Sequence, residues 1–357
     1  MSRIGLVSAL LTVAVALPPA SSADEGQAAT PEAFYQRLVT VDRSQALRDL
    51  DVPDDIVALL AKPDVPAAVS KLEALAQQGD VDANVALVRT QHWCAGLARS
   101  GGATNDQREP ALREALPPEE LPAALAVLRA EQAFIAEANA SCAAARFAFR
   151  QIEQRLRAAA AAGDAVSSSE LARFTRDAAQ REAFLEAAAE GGYAPAQYQL
   201  AVNRLFAVQR GQTTEKVETI RLLLKQAGQS MPAAKVDLAN CMATGCDGHP
   251  ADSATAAAFA VDAARDGEPS AYVGMLRMPW RASLDPSEIA AWQIFAARLN
   301  DAGCTGTRYL ETGIALARVN AQFAAALKPE QLERAQSLAD RYWTQFSERA
   351  KREQRCE

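Results

Sequence analysis

The spacing of small residues after predicted helix turns is the sequence feature that most constrains this fold. An alanine follows such a turn at Ala196, Ala234 and Ala271, at intervals of 38 and 37 positions. An earlier alanine, Ala83, lies 113 positions before Ala196, which is close to three such intervals. In the three later copies, an apolar residue stands four positions after the alanine. A fixed period of this length is typical of a helical solenoid whose repeat is a pair of antiparallel helices.

The small and large side chains of these repeats have separate predicted roles. Two helices approach closely only where small side chains face each other, so we expect alanines at the helix crossings and larger residues in the seams between repeats. The crossing residues are Ala187, Ala188, Ala196, Ala227, Ala234, Ala264 and Ala271, and the seam residues are Leu200, Leu223, Leu238 and Phe259. Good helix formers dominate and alternating β-branched runs are few, so the sequence predicts an all-α superhelical solenoid of antiparallel helix pairs.

Three segments carry a resemblance to a known repeat family. Residues 188–200, with the sequence AAEGGYAPAQYQL, resemble the Sel-one-like repeat, a relative of the tetratricopeptide repeat. The glycine-containing segment Thr244–Asp252 is similar to the linker of that family, and Lys328–Asp340 is similar to the helix that often closes its arrays. The likeness spans residues 184–276 and 327–345, with a weaker copy at 66–90. It implies a tetratricopeptide-like solenoid that assembles complexes of other proteins.

The sequence divides into five predicted regions. They are a signal peptide at 1–23, an N-terminal helical region with a weak repeat copy at 24–100, a divergent helical segment at 101–180, a helical repeat array at 181–325 and a C-terminal capping helix at 326–357. Two stretches of turn-forming residues, Gly101–Asn105 and Ala165–Ser169, are predicted to be loops.

The first residues have the organisation of a secretory signal. Arg3 supplies a positive charge, Ile4–Leu17 form an uncharged and largely apolar stretch, and small residues at Ser21–Ala23 suit cleavage after Ala23. A membrane anchor is the alternative, but the apolar stretch has 14 residues whereas a bilayer span needs about 20. No later stretch is apolar enough to span a membrane. The sequence therefore predicts a periplasmic or secreted protein with no membrane span in the mature chain.

All six cysteines follow the predicted signal peptide, and an even number in an oxidising compartment predicts disulfides. Cys241 and Cys246 are close enough in sequence to close a small ring at a helix end. Cys304 is predicted to begin one helix and Cys356 to lie just past the end of the next, so antiparallel packing would bring them together. These arguments predict two disulfides and leave two cysteines to form a third.

The third predicted disulfide joins Cys94 and Cys142 by elimination. The run His92-Trp93-Cys94 suggests a cysteine nucleophile with a histidine base as an alternative. Neighbouring residues of a helix point in different directions, however, so neither His92 nor Trp93 is placed to activate Cys94. A disulfide with a packed aromatic side chain is the favoured interpretation.

Other residue sets that can carry chemistry favour structural interpretations. Cys241, Cys246 and His249 have a spacing that suits zinc, but a structural site needs a fourth ligand and the chain has only two histidines. Carboxylate pairs on common helical faces, Glu186 with Glu190 and Glu330 with Glu333, are usually solvated. We therefore predict no catalytic residue, no cofactor and no metal.

The remaining signals concern partners. The chain has 37 basic and 44 acidic side chains, a net charge of −7, and lacks the basic stripe that nucleic-acid binding requires. Trp292 and Trp343 fall at apolar helix positions and are expected in the core. Tyr193, Tyr198 and Tyr272 are candidate partner-binding residues on a concave face, with packing between repeats as the alternative.

The sequence thus predicts a scaffold that binds another protein or a peptide. The alternative comes from the resemblance, because cysteine-rich exported members of the repeat family are associated with binding or hydrolysis of β-lactams. A binder of cell-wall peptide or glycan is the other small-ligand possibility.

Overall fold

A computed structural model describes residues 46–47, 49–100, 109–110, 112–114, 118, 121–212, 218–246, 249–302 and 323–354. Within these ranges the chain is helical and forms no strand. In chain order the helices are α1 (Asp54–Ala61), α2 (Val65–Gln77), α3 (Val81–Ser100), α4 (Leu121–Ala144), α5 (Phe149–Ala161), α6 (Ala165–Phe174), α7 (Ala178–Glu190), α8 (Ala194–Gln209), α9 (Glu218–Ala227), α10 (Pro232–Thr244), α11 (Ser253–Arg265), α12 (Pro269–Arg277), α13 (Pro286–Asp301) and α14 (Pro329–Gln354). A short 3-10 helix, Pro279–Ser283, joins α12 to α13.

The helices pack as consecutive pairs, and each pair packs on the next. The pairs are α2 with α3, α5 with α6, α7 with α8, α9 with α10, α11 with α12 and α13 with α14. From α6 onward, the second helix of each pair packs against the first helix of the following pair. The helix α4 lies against α2 and α3, and α14 also contacts α11. This arrangement confirms the predicted all-α solenoid of helix pairs.

The turns within the pairs are specified by local chemistry. Asp80 and Asp164 each begin the second helix of a pair, where the side-chain oxygen accepts a hydrogen bond from the backbone N–H three residues later, at 2.9 and 2.6 Å. Gly267, which ends the turn after α11, has a φ of 85°. This left-handed conformation suits glycine and lets the chain reverse direction sharply.

A small buried residue marks the crossing of each of these pairs. The predicted crossing alanines Ala196, Ala234 and Ala271 are buried, and so is Ala83, the earlier alanine in the same phase. In the α5–α6 pair the equivalent residue is Ser167, since it lies four residues after Gly163 as Ala196 lies four residues after Gly192. Ser167 is also buried. The α5–α6 pair is therefore a further copy of the repeat that the sequence analysis did not recognise.

Two predictions about this region are wrong. The stretch Ala165–Ser169 is not a loop but the first half of α6, since the Asp164 cap starts a helix there. Ala187 is exposed, whereas its neighbour Ala188 faces the crossing and is buried. The other crossing alanines are buried as predicted, and the seam residues Leu200, Leu223 and Leu238 are buried while Phe259 is half-buried.

The apolar interior forms two main clusters among the described residues. One joins α1, α2 and α3 to α5 and α6, and the other extends from α6 to α14. Phe184 of α7 packs against both, so the two clusters adjoin. Trp292 is fully buried against Phe295 and Tyr342, and half-buried Trp343 packs on Phe295 with ring centroids 5.8 Å apart. Both tryptophans therefore belong to the packing of α13 on α14.

Several predictions lie outside the described residues. They concern the signal peptide at 1–23 with its cleavage after Ala23, the loop Gly101–Asn105, and the pairing of Cys304 with Cys356. The division into five regions also stays a prediction. No helix within the described ranges is both long and apolar enough to cross a bilayer.

Candidate functional site

The predicted partner-binding residue Tyr193 lies in a polar cluster formed by distant parts of the chain. Its hydroxyl donates to Asp49 Oδ2 at 2.5 Å and accepts from Arg89 Nη2 at 2.8 Å. Arg89, on α3, also forms a bidentate ion pair with Asp49, in which Nη1 donates to Oδ1 and Nη2 lies 2.9 Å from Oδ2. Its Nε donates to Glu170 Oε1 of α6 at 2.8 Å. The segment before α1 is thereby joined to α3, α6 and the start of α8, and we call these four side chains the Arg89 cluster.

Burial strengthens the interactions of the Arg89 cluster. The Arg89 side chain is 10% exposed and that of Glu170 is 0% exposed. Burial alone would raise the pKa of Asp49, but the hydrogen bonds and charge of Arg89 outweigh it and lower that pKa below its ordinary value of 3.8. Burial raises the pKa of Tyr193, so its hydroxyl stays protonated and can donate to Asp49. The cluster therefore holds a carboxylate, a guanidinium and a neutral phenol at neutral pH.

Tyr198 connects two neighbouring helix pairs. Its hydroxyl, on α8, donates to Asp237 Oδ2 of α10 at 2.7 Å. Burial, followed by this hydrogen bond, raises the pKa of Tyr198. The ring is half-buried in the larger apolar cluster. Its polar end and much of its ring are thus used within the solenoid, although part of the side chain remains accessible.

The prediction that Tyr272 lines an exposed face is wrong. Tyr272 is 3% exposed, and its hydroxyl donates to the backbone oxygen of Ala264 at 2.8 Å. Its ring lies 6.4 Å from that of Trp292 and 6.2 Å from that of Phe295, centroid to centroid. The alternative that the sequence left open, packing between repeats, describes this residue. Tyr272 is therefore not available to contact a partner.

Two large apolar side chains that the sequence analysis did not select are exposed near the middle of the array. Phe206 of α8 is 53% exposed and Leu222 of α9 is 55% exposed. Each lies about one helical turn from the segment that connects α8 and α9. Close to the same ends of the two helices, Arg204 Nη1 of α8 donates to Thr219 Oγ1 of α9 at 2.5 Å. Their sequence signal is weak, because an apolar residue on the polar side of a short helix resembles an ordinary seam residue.

The structure contains two of the predicted cysteine pairs. Cys94 of α3 is joined to Cys142 of α4, with Cα atoms 5.6 Å apart. Cys241 and Cys246 close a ring at the end of α10, with Cα atoms 4.9 Å apart. The first bond attaches α4 to the repeat that contains α3, and the second fixes the exit of the chain from α10.

Several of the residues considered for catalysis or metal binding have structural partners. His92 packs on Phe174 with ring centroids 4.8 Å apart, and Cys94 is in a disulfide. Glu186 accepts a hydrogen bond from Arg204 at 2.8 Å. Both cysteines of the alternative zinc set, Cys241 and Cys246, are bonded to each other. In the described part of the chain no three His, Cys, Asp or Glu side chains come together as a metal site.

A cleft of about 330 Å³ lies where the α9–α10 turn meets the end of α14. Its lining residues are Gly228, Gln229, Ser230, Pro232, Asp266, Arg349, Arg352 and Glu353. Asp266 forms ion pairs with Arg349 and with Lys235, whose Nζ lies 2.7 Å from Asp266 Oδ2. These contacts join α10, α11 and α14, so the charged groups of the cleft chiefly hold the C-terminal helix in place.

Comparison with known proteins gives a distant structural likeness. No family model matches the sequence, and no curated protein matches it. Among solved structures the chain is similar to c5321, a protective antigen of uropathogenic Escherichia coli strains displaying an SLR fold, with a TM-score of 0.35 and 14% identity. The match covers 90% of this chain and 87% of the other. A likeness at this level establishes neither family nor function, so membership of the Sel-one-like repeat family stays a prediction.

Proposed function

We propose that this chain is exported to the periplasm and acts there as a scaffold that binds another protein. The exposure of Phe206 and Leu222 carries this proposal. Large apolar side chains that remain exposed on the same region of a surface are typical of interaction sites, whereas singly scattered ones are ordinary. These two lie on helices that pack directly against each other and near the same connecting segment.

The rigidity of the surface supports the same proposal. Side-chain hydrogen bonds run between neighbouring pairs, as from Tyr198 to Asp237 and from Trp280 Nε1 to Asn240 Oδ1 at 2.9 Å. A partner that binds α8 and α9 would therefore meet a surface that loses little conformational entropy on binding. Aromatic and aliphatic anchors on such a surface supply most of the binding free energy in protein interfaces.

The binding proposal is tested by affinity capture from a periplasmic extract under non-reducing conditions. The bait is the mature chain, residues 24–357, and the variants are Phe206→Ser and Leu222→Ser. We expect the wild type to retain a stoichiometric protein and each variant to lose it. Leu332→Ser is the matched control, because Leu332 of α14 is similarly exposed at 45% but lies on a different helix pair. Equal loss in the control would refute the assignment of the surface.

Two further measurements test the rest of the proposal. Mass spectrometry of the chain recovered from the periplasm should show an N-terminus at Asp24, and recovery of an uncleaved chain in the cytoplasm would contradict export. The same bait is incubated with labelled penicillin and with peptidoglycan fragments. Retention of either ligand, with no protein captured, would replace the scaffold proposal by the small-ligand alternative.

A further inference from the structure

In the Arg89 cluster, Arg89 and Tyr193 donate hydrogen bonds to a carboxylate that comes from a different segment of the chain, that of Asp49. We propose that Arg89, Glu170 and Tyr193 form a recognition site for an acidic peptide segment, which Asp49 of the chain's own N-terminal segment occupies. This inference rests on the proposed scaffold function and names a second contact for the partner: an acidic segment that takes the place of Ala46, Leu47 and Asp49.

The orientation of the Arg89 guanidinium does not depend on Asp49. Glu170 accepts the Nε hydrogen bond at 2.8 Å and fixes the plane of the guanidinium, so the Nη1 and Nη2 edge points at Asp49. Two parallel N–H donors match the two oxygens of a carboxylate, which makes this edge selective for carboxylates. The Tyr193 hydroxyl adds a third donor on the Oδ2 side.

The site also binds a backbone carbonyl of the segment that occupies it. Arg89 Nη1 donates to the backbone oxygen of Ala46 at 2.8 Å, three residues before the carboxylate of Asp49. Leu47 between them is 5% exposed in the apolar cluster of α1, α2 and α3. The matching ligand is therefore a peptide that presents a backbone carbonyl, an apolar side chain and, two residues after that side chain, a carboxylate.

The donors and charges of the site favour an anionic occupant. With Asp49 removed, Arg89 and Arg173 would face the single carboxylate of Glu170, from which Arg173 Nε is 3.3 Å away. Arg173 is 50% exposed and solvated, whereas the Nη1 and Nη2 edge of Arg89, a side chain that is 10% exposed, would lose its carboxylate acceptor. Buried donors without acceptors are unfavourable, so the empty site favours a carboxylate over a neutral or cationic group.

The geometry allows the occupant to exchange without dismantling the site. Arg89, Glu170 and Tyr193 belong to α3, α6 and the start of α8, and Arg89 contacts both of the others without using Asp49. The occupying residues lie before α1, outside the helix pairs. A carboxylate from another chain can therefore replace Asp49 while the three helices keep their packing.

The test uses the full mature chain, residues 24–357, with Asp49→Ala and the fluorescent peptide SQALRDLDV, which is residues 44–52. Fluorescence anisotropy should show the peptide binding Asp49→Ala at least about tenfold more tightly than it binds the wild type, because the attached segment then lacks the carboxylate that competes for Arg89. A peptide with Asn in place of its first Asp should bind at least about tenfold more weakly. If Asp49→Ala loses helicity, Asp49→Asn keeps the shape and replaces it.

Tyr193→Phe in the Asp49→Ala background removes the third donor, together with the oxygen that accepts from Arg89 Nη2, and should weaken peptide binding severalfold. The inference is overturned if the peptide binds neither variant nor wild type, or binds them equally, because the segment would then be a fixed part of the fold. Capture of the protein partner separates the two proposals. A partner retained equally by wild type and Asp49→Ala refutes this site and leaves the scaffold function intact. Peptide binding to Asp49→Ala with no partner captured supports this site and refutes the scaffold function.

Discussion

Gly267→Ala should loosen the C-terminal helix more than an alanine at the equivalent glycine of another repeat. A Cβ placed on Gly267 would lie 2.8 Å from Ala350 Cα, 2.9 Å from its Cβ and 3.0 Å from its backbone oxygen. The turn therefore contacts α14 so closely that only glycine fits. The residue also has a φ of 85°, which an alanine adopts at a cost of about 1–2 kcal/mol.

The equivalent substitution Gly192→Ala separates these two costs. Gly192 has a φ of 82°, and a Cβ placed there would meet no atom within 4 Å. Both substitutions carry the left-handed cost, but only Gly267→Ala adds the overpacking cost of about 1–3 kcal/mol. We therefore expect Gly267→Ala to lower the free energy of unfolding by about 2–5 kcal/mol and Gly192→Ala by about 1–2 kcal/mol.

Urea unfolding followed by circular dichroism gives the total effect of each variant. Hydrogen exchange localises it, because solenoids open repeat by repeat rather than in one step. Backbone amides of α14 should exchange faster in Gly267→Ala than in the wild type and should be unchanged in Gly192→Ala. Equal destabilisation by the two variants, or unchanged exchange in α14, would refute the argument that α14 packs on this glycine.

Two further predictions concern the disulfides and Asp49. Replacing both cysteines of the pair Cys94–Cys142, which spans 48 residues, should lower the free energy of unfolding by about 4 kcal/mol, against about 2 kcal/mol for the pair Cys241–Cys246, which spans 5. Urea unfolding of the two Cys→Ser double variants checks this order, and the reverse order would contradict it. Because the pKa of Asp49 is lowered on folding, its contribution to stability should be complete well above its ordinary pKa of 3.8 and lost as the pH falls through the lower folded value. The stability difference between wild type and Asp49→Asn, measured across pH, should therefore shrink in acid, and a constant difference would contradict the ion pair.

The repeat could be predicted from the sequence where its crossing residue is alanine. Ala196, Ala234 and Ala271 keep a nearly constant spacing because helix pairs of similar length stack in register. The α5–α6 pair was missed for two reasons. Its crossing residue is Ser167, and this lies only 29 positions before Ala196, so neither the residue type nor the period marks it. The turn within this pair does carry a sequence signal, since Gly163-Asp164 repeats the Gly-Asp pair of the turn between α2 and α3.

The candidate site was less predictable than the fold. The position of Tyr193 after a turn indicates a candidate, but its partners Arg89 and Asp49 are 104 and 144 residues away in sequence. A local sequence pattern does not show which distant residues come into contact, because the stacking of the helix pairs determines which turns and helices meet. Tyr272 shows the converse, since it was a candidate for an exposed face yet is buried against Trp292 and Phe295 of α13.

The missed repeat also gives a test of the crossing itself. Ser167 is 0% exposed, and its hydroxyl has no hydrogen-bond partner, whereas the hydroxyl of neighbouring Ser168 donates to the backbone oxygen of Asp164 at 3.0 Å. Ser167→Ala removes an unsatisfied polar group from a crossing where the other pairs have alanine, so it should raise the free energy of unfolding by about 1 kcal/mol or more. Ser168→Ala is the matched control, because it makes the same gain in helix propensity but loses a made hydrogen bond. Urea unfolding should thus place Ser167→Ala above Ser168→Ala in stability. If Ser167→Ala is instead the less stable variant, the serine hydroxyl contributes to the crossing and Ser167 is not an alanine equivalent.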